Sequence, residues 1–125
     1  MTFSQIRTLT ASALLATSVL ALSATAPTAA PNYDGVWSVL IVTEKGTCDR
    51  AYRYPVRIEK GSVLNDGPSI VNVSGRVGGN GAITVTVSAG DKSATGSGRL
   101  SGAVGAGRWS GAGCGGTWHA ERRSS

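Results

Sequence analysis

The sequence predicts an all-β fold: a small antiparallel up-and-down meander of eight strands that closes into a barrel and is stapled by one disulfide. Three observations predict it. Eight short segments after residue 34 alternate apolar and polar residues with a period of two, as strands with one buried face do. The connections between them are short and rich in Gly, Asn and Asp, and none can hold a crossover helix. The two cysteines, Cys48 and Cys114, fall in the first and last of those connections, which a meander places at the same end.

The segments are justified in order. "GVWSVLIVT" (35–43) is β-branched and aromatic, with Trp37, Val39 and Ile41 on one face. "AYRYPVRIE" (51–59) puts Tyr52, Tyr54, Val56 and Ile58 on one side and Arg53, Pro55, Arg57 and Glu59 on the other. "SVLN" (62–65) is a short strand. "IVNVSGRV" (70–77) groups Val71, Val73 and Val77, and "AITVTVS" (82–88) groups Ile83, Val85 and Val87. "KSATGSGRL" (92–100) sets Ala94, Gly96, Gly98 and Leu100 against Ser93, Thr95, Ser97 and Arg99. In "VGAGRW" (104–109), Trp109 shares its face with Gly105 and Gly107. In "GTWHAER" (116–122), Trp118, Ala120 and Arg122 share one face, and His119, Glu121 and the following Arg123 share the other. Glycines on the sixth and seventh strands leave room for indole rings, so three tryptophans against Gly and Ala make a volume-matched core.

A meander of this length with one apolar face must close or stack. Closure makes the first and last strands neighbours, and a Cys48–Cys114 bridge then joins their ends. The bridge follows separately from the compartment, since an exported chain with two cysteines has one pairing to make. Loop closure of that span stabilises by about 4 kcal/mol in the chain-entropy model. A Cys-x-x-Cys redox spacing is absent.

Export is read from the first residues. Arg7 precedes an uncharged, small-residue apolar run (8–24) and "ATAPTAAP" (24–31), the layout of a secretory signal peptide over 1–26 with its cut within 24–30. The run is short for a membrane span, which needs about 20 mostly apolar residues, so no transmembrane span is expected after processing. A linker (27–34) then leads into the barrel (35–123). The processed chain is expected to be periplasmic or extracellular. Without Arg7 it holds eleven basic and seven acidic residues, a net charge of +4. That mild bias, with arginines dispersed among Gly, Ser and acids, marks no nucleic-acid partner.

No catalytic set is legible. The single histidine, His119, is predicted to point outward beside Glu121. No Gly-x-Ser-x-Gly elbow is present, and no glycine-rich turn leads from a strand into a helix to cradle phosphate. Two distant thiols and one histidine fall short of a metal site, so no metal and no cofactor are expected. Glu44 and Asp49 meet in one loop as an acid pair at most; as turn residues they read as solvated. Arg53, Arg57, Arg76 and Arg99 face outward and read as solvated arginines. The candidate ligand or core aromatics are Trp37, Tyr52, Tyr54, Trp109 and Trp118. A candidate contact loop carries Asp49 and Arg50 within "CDRAYRYP" (48–55).

"GVW" (35–37) on the first strand, with Arg122 or Arg123 on the last, resembles the Gly-x-Trp and C-terminal arginine of the calycin barrels, the group of lipocalins, fatty-acid-binding proteins and avidins. The resemblance implies that one of these arginines packs across Trp37 and closes the barrel end. A related avidin-like barrel occurs in small periplasmic metalloprotease inhibitors. "YDGVWSVLIVTEKGTCDRAYRYPVRIEKGSV" (33–63) and "GSGRLSGAVGAGRWSGAGCGGTWHAERR" (96–123) resemble a group of small exported alphaproteobacterial proteins, some labelled for haem utilisation or adhesion. That likeness implies export, paired cysteines and an all-β fold, and carries no chemistry.

The function expected is a non-enzymatic exported binding module, since a barrel of about eight strands is wide enough to be filled by side chains or to hold one small ligand. Its partner is a small apolar ligand or a protein. The alternatives are a protease inhibitor whose segment "APNYDG" (30–35) enters the protease, and a structural, envelope-associated protein.

Overall fold

The computed structural model describes residues 32–125, and the signal peptide read at 1–26 lies outside them. Eight strands follow in chain order: β1 Gly35–Lys45, β2 Ala51–Glu59, β3 Ser62–Asn65, β4 Asn72–Val77, β5 Ala82–Ala89, β6 Lys92–Ser101, β7 Val104–Gly111 and β8 Cys114–Ser124. Each pairs antiparallel with the next, and β8 pairs with β1, so the sheet is a closed barrel. Among the described residues no helix is long and apolar enough to cross a membrane.

Alternation fixes which residues face inward. The register sets Trp37 against Val56 and Arg122, and Ile41 against Tyr52 and Trp118. Val73, Val85, Ala94 and Trp109 continue the inner face around the ring. The outer face carries Ser74, Arg76, Thr84, Thr86, Ser97, Arg99, Arg108, His119 and Glu121, all exposed. An apolar inside and polar outside is the reverse of the pattern on lipid-facing barrels.

Cys48 and Cys114 are bonded, with Cα atoms 6.2 Å apart. Cys48 lies in the β1–β2 loop and Cys114 opens β8, so the bridge joins neighbouring ends of the closing strands. β7 and β8 run further toward their turn than alternation alone suggested. Only Ala112 and Gly113 remain between them, with φ of 54° and 78°. Two consecutive positive φ values are what a tight type I′ hairpin demands.

The fourth strand is shorter than the sequence suggested. Ile70 and Val71 lie in the preceding loop, and β4 starts at Asn72. The cause is the missing partner: two register pairs join β3 to β4, Ser62–Arg76 and Val63–Gly75, against eight for β5 and β6. Past Val63 the two strands part, and the backbone N–H of Val71 donates to the Pro68 carbonyl instead.

The densest packing sits at the end opposite the disulfide. Trp37, Ile58, Val63 and Leu100 are each no more than 2 % exposed there. Tyr33, in the segment read as a linker, is buried with them and its hydroxyl donates to the Leu100 carbonyl at 3.4 Å. The Trp37 indole N–H donates to the Tyr33 carbonyl at 2.9 Å, and the backbone N–H of Lys60 donates to the Asp34 carboxylate at 2.8 Å. Residues 33 and 34 therefore plug this end.

Candidate ligand cavity

The other half of the barrel is hollow. An apolar cavity of about 280 Å³ runs from Trp37 and Leu100 at its floor to Tyr52 and Ala89 at its mouth on the disulfide side. Its lining contains no charged side chain. The cavity exists because glycines replace side chains on its wall. Gly96 on β6 has only ordinary contacts where a Cβ would stand, and Gly98, Gly105 and Gly107 are covered by the Trp118 ring.

Two indoles shape the wall by a reciprocal arrangement. Trp118 on β8 lies over Gly107 on β7, its register partner, and its Nε1–H donates to the Ser97 carbonyl on β6 at 3.2 Å. Trp109 on β7 is paired with Gly116 on β8, and its Nε1–H donates to the Val42 carbonyl on β1 at 3.0 Å. Each ring thus crosses a glycine to reach the second strand away. A Cβ on Gly107 would sit 2.6 Å from Trp118 Nε1 and closer still to the Ser97 carbonyl oxygen. With Trp37 bonded to Tyr33, all three indole N–H groups are satisfied by backbone, and the rings offer the cavity apolar surface.

At the mouth stand Tyr52 and Tyr54, inward on β2 as the alternation predicts. The Tyr54 hydroxyl donates to Asn65 Oδ1. Asn65 also accepts from the Gly67 N–H at 2.9 Å, and its Nδ2 donates to the carbonyls of Pro68 and Val71 at 2.9 and 2.8 Å. One side chain therefore spans the gap where β3 and β4 part and ties the 66–71 loop to the wall. Tyr52, 45 % exposed, makes no hydrogen bond through its hydroxyl among the described residues. Burial, and then the negative charge of Asp49, raise its phenol above the ordinary value; burial chiefly raises that of Tyr54.

The five candidate aromatics therefore line one cavity. Asp49 and Arg50 are exposed in the loop beside the mouth and form no ion pair with each other within 4.0 Å among the described residues. Their carbonyls are what the fold uses: Thr43 donates to the Asp49 carbonyl through Oγ1 and to the Arg50 carbonyl through its N–H. Glu44 does not join Asp49; it points outward, 3.3 Å from Arg108. Of the two closing arginines, Arg122 lies over the Trp37 ring while Arg123 stays outside near Glu121. His119 is exposed on the outer face.

No protein-family model, no curated protein and no solved structure matches this chain.

Sequence reasoning missed Asn65 and Tyr33. Asn65 opens "NDGPS", where Asn is an ordinary turn former, and nothing in one sequence tells a turn asparagine from one that spans a gap between strands. Tyr33 precedes the first alternating segment, so period-two reading stops one step short of it.

Proposed function

We propose that this protein is an exported, non-enzymatic binding module that takes a small apolar ligand into the barrel. The observation that carries this reading is the uncharged cavity beside a satisfied set of indoles. Its volume lies near the lower bound of small-molecule sites, which begin at about 300 Å³. An apolar cavity of about 150 Å³ holds benzene, so this one suits a compact body of roughly a dozen non-hydrogen atoms. The disulfide is compatible with an oxidising compartment. The protease-inhibitor reading has less support, because Tyr33 and Asp34 of the segment it needs are held at the plugged end.

The test is a titration of the oxidised protein with tetralin, a ten-carbon neutral hydrocarbon, followed by NMR. The indole Nε1–H signals of Trp109 and Trp118 flank the cavity and report its filling. Saturable shifts of those two signals support the reading. Signals that stay fixed up to the solubility limit of tetralin overturn it.

A further inference from the structure

We propose that Tyr52 is the polar anchor of this cavity, and that the ligand is a compact apolar molecule carrying one uncharged oxygen acceptor, a ketone, ester or ether, at the end that faces the mouth. This rests on the cavity being a binding site and adds the ligand's chemical class.

Elimination over the lining leads to it. Every indole N–H on the wall already donates to a backbone carbonyl. The Tyr54 hydroxyl donates to Asn65, which is itself bound to three backbone groups and is not free to turn. Thr95 also borders the cavity, but it is exposed and alternates outward on β6 between the inward Ala94 and Gly96. Tyr52 is left as the inward-facing side chain that lines the cavity and still has a hydroxyl to give. A buried ligand oxygen without a donor would lose its water for nothing in return. Tyr52 supplies that donor at the rim, where apolar wall meets solvent.

Charge decides the rest of the class. A carboxylate would enter a cavity with no lining cation and would face Asp49, whose charge already acts on the Tyr52 phenol. The nearby cations do not offset this. Arg108 is paired with Glu44 and Arg57 with Asp66, while Arg50 and Lys45 are exposed outside the lining. An ammonium group would gain from Asp49 only by staying outside the cavity, since no anion lines it. The raised phenol keeps Tyr52 protonated, and so a donor, throughout the neutral range.

The experiment compares tetralin, 1-tetralone, 2-naphthoate and 2-aminotetralin on the oxidised protein, on Tyr52→Phe and on Tyr54→Phe. The ketone is expected to bind the unaltered protein about 3- to 10-fold more tightly than the hydrocarbon, the range of one net neutral hydrogen bond. Tyr52→Phe, which keeps the ring and removes the hydroxyl, should erase that ratio. Tyr54→Phe should keep the ratio, because its hydroxyl is already committed. The charged probes should bind more weakly than the ketone. Equal affinities for ketone and hydrocarbon, or a ratio that survives Tyr52→Phe, would overturn the anchor while the cavity stands. Tighter binding of naphthoate or aminotetralin than of tetralone would overturn the uncharged class. Failure of tetralin itself to bind would instead remove the cavity reading beneath both.

Discussion

The guanidinium of Arg122 lies over the indole of Trp37, 5.2 Å from the ring centroid, and its Nη2 donates to the Asn32 carbonyl at 2.7 Å. One side chain thus ties the last strand to the first and to the segment ahead of it. Trp37 is 1 % exposed beneath it, so the contact seals the plugged end. Removing the guanidinium loses a partly desolvated cation–π contact and a charge-assisted hydrogen bond. Arg122→Ala should cost about 1–3 kcal/mol, read as a lower urea midpoint. Arg123→Ala, on the exposed face, should stay within about 0.5 kcal/mol. Equal losses for the two would mean that Arg122 does not close the barrel.

Glycines of the wall should differ sharply. At Gly107 a methyl group meets the Trp118 indole and the Ser97 carbonyl, and neither can retreat without breaking the hydrogen bond between them. Gly107→Ala should cost about 3 kcal/mol or more, since overpacking here also orphans an indole N–H. At Gly96 the nearest atoms stand 3.6 Å away, and Gly96→Ala should be close to neutral while narrowing the cavity. Thermal unfolding followed by tryptophan fluorescence separates the two cases.

Asn65 holds the weak seam. Asn65→Ala removes its bonds to the Gly67 N–H, the Pro68 and Val71 carbonyls and the Tyr54 hydroxyl. Hydrogen exchange should accelerate across 66–71 with little change in β5 to β8. Burial raises the Tyr54 phenol above its ordinary value. A phenol raised on folding adds stability that is intact below the unfolded value of 10 and fades as pH rises above it. The contribution of this group to alkaline loss of stability in the parent should thus begin only as pH passes 10. Unchanged exchange across 66–71 would contradict the role given to Asn65.

The disulfide should affect stability more than shape. Residues 48 and 114 are separated by 66 positions, and releasing a loop of that length costs about 4 kcal/mol in the chain-entropy model. The β1–β8 ladder, from Val36 to Lys45, joins the same two strands through backbone hydrogen bonds. Cys48→Ser with Cys114→Ser should lower the denaturant midpoint and leave the far-ultraviolet circular dichroism of the native state unchanged. Loss of strand signal in native buffer would show that the bridge, rather than the ladder, closes the barrel.

Period-two alternation and the short glycine turns determined the eight strands and their inward faces, and two cysteines in a chain read as exported determined the pairing of Cys48 with Cys114. The strands follow from local geometry: a strand has two faces, and a short glycine turn permits only the adjacent antiparallel neighbour. The likeness of "GVW" to a Gly-x-Trp barrel entrance left Arg122 and Arg123 as equal candidates, although alternation already put Arg122 on the side of Trp118. Tertiary structure decided between them, because only the register across the β1–β8 seam sets Arg122 opposite Trp37. It also decided whether the barrel is filled. Three tryptophans can occupy an interior of this size, but Trp118 lies over Gly107 and Trp109 stands opposite Gly116, each indole N–H reaching a carbonyl two strands away, and the centre is open. Ring orientation depends on hydrogen bonds between residues 21 and 67 positions apart, and a period of two in one sequence carries no record of them.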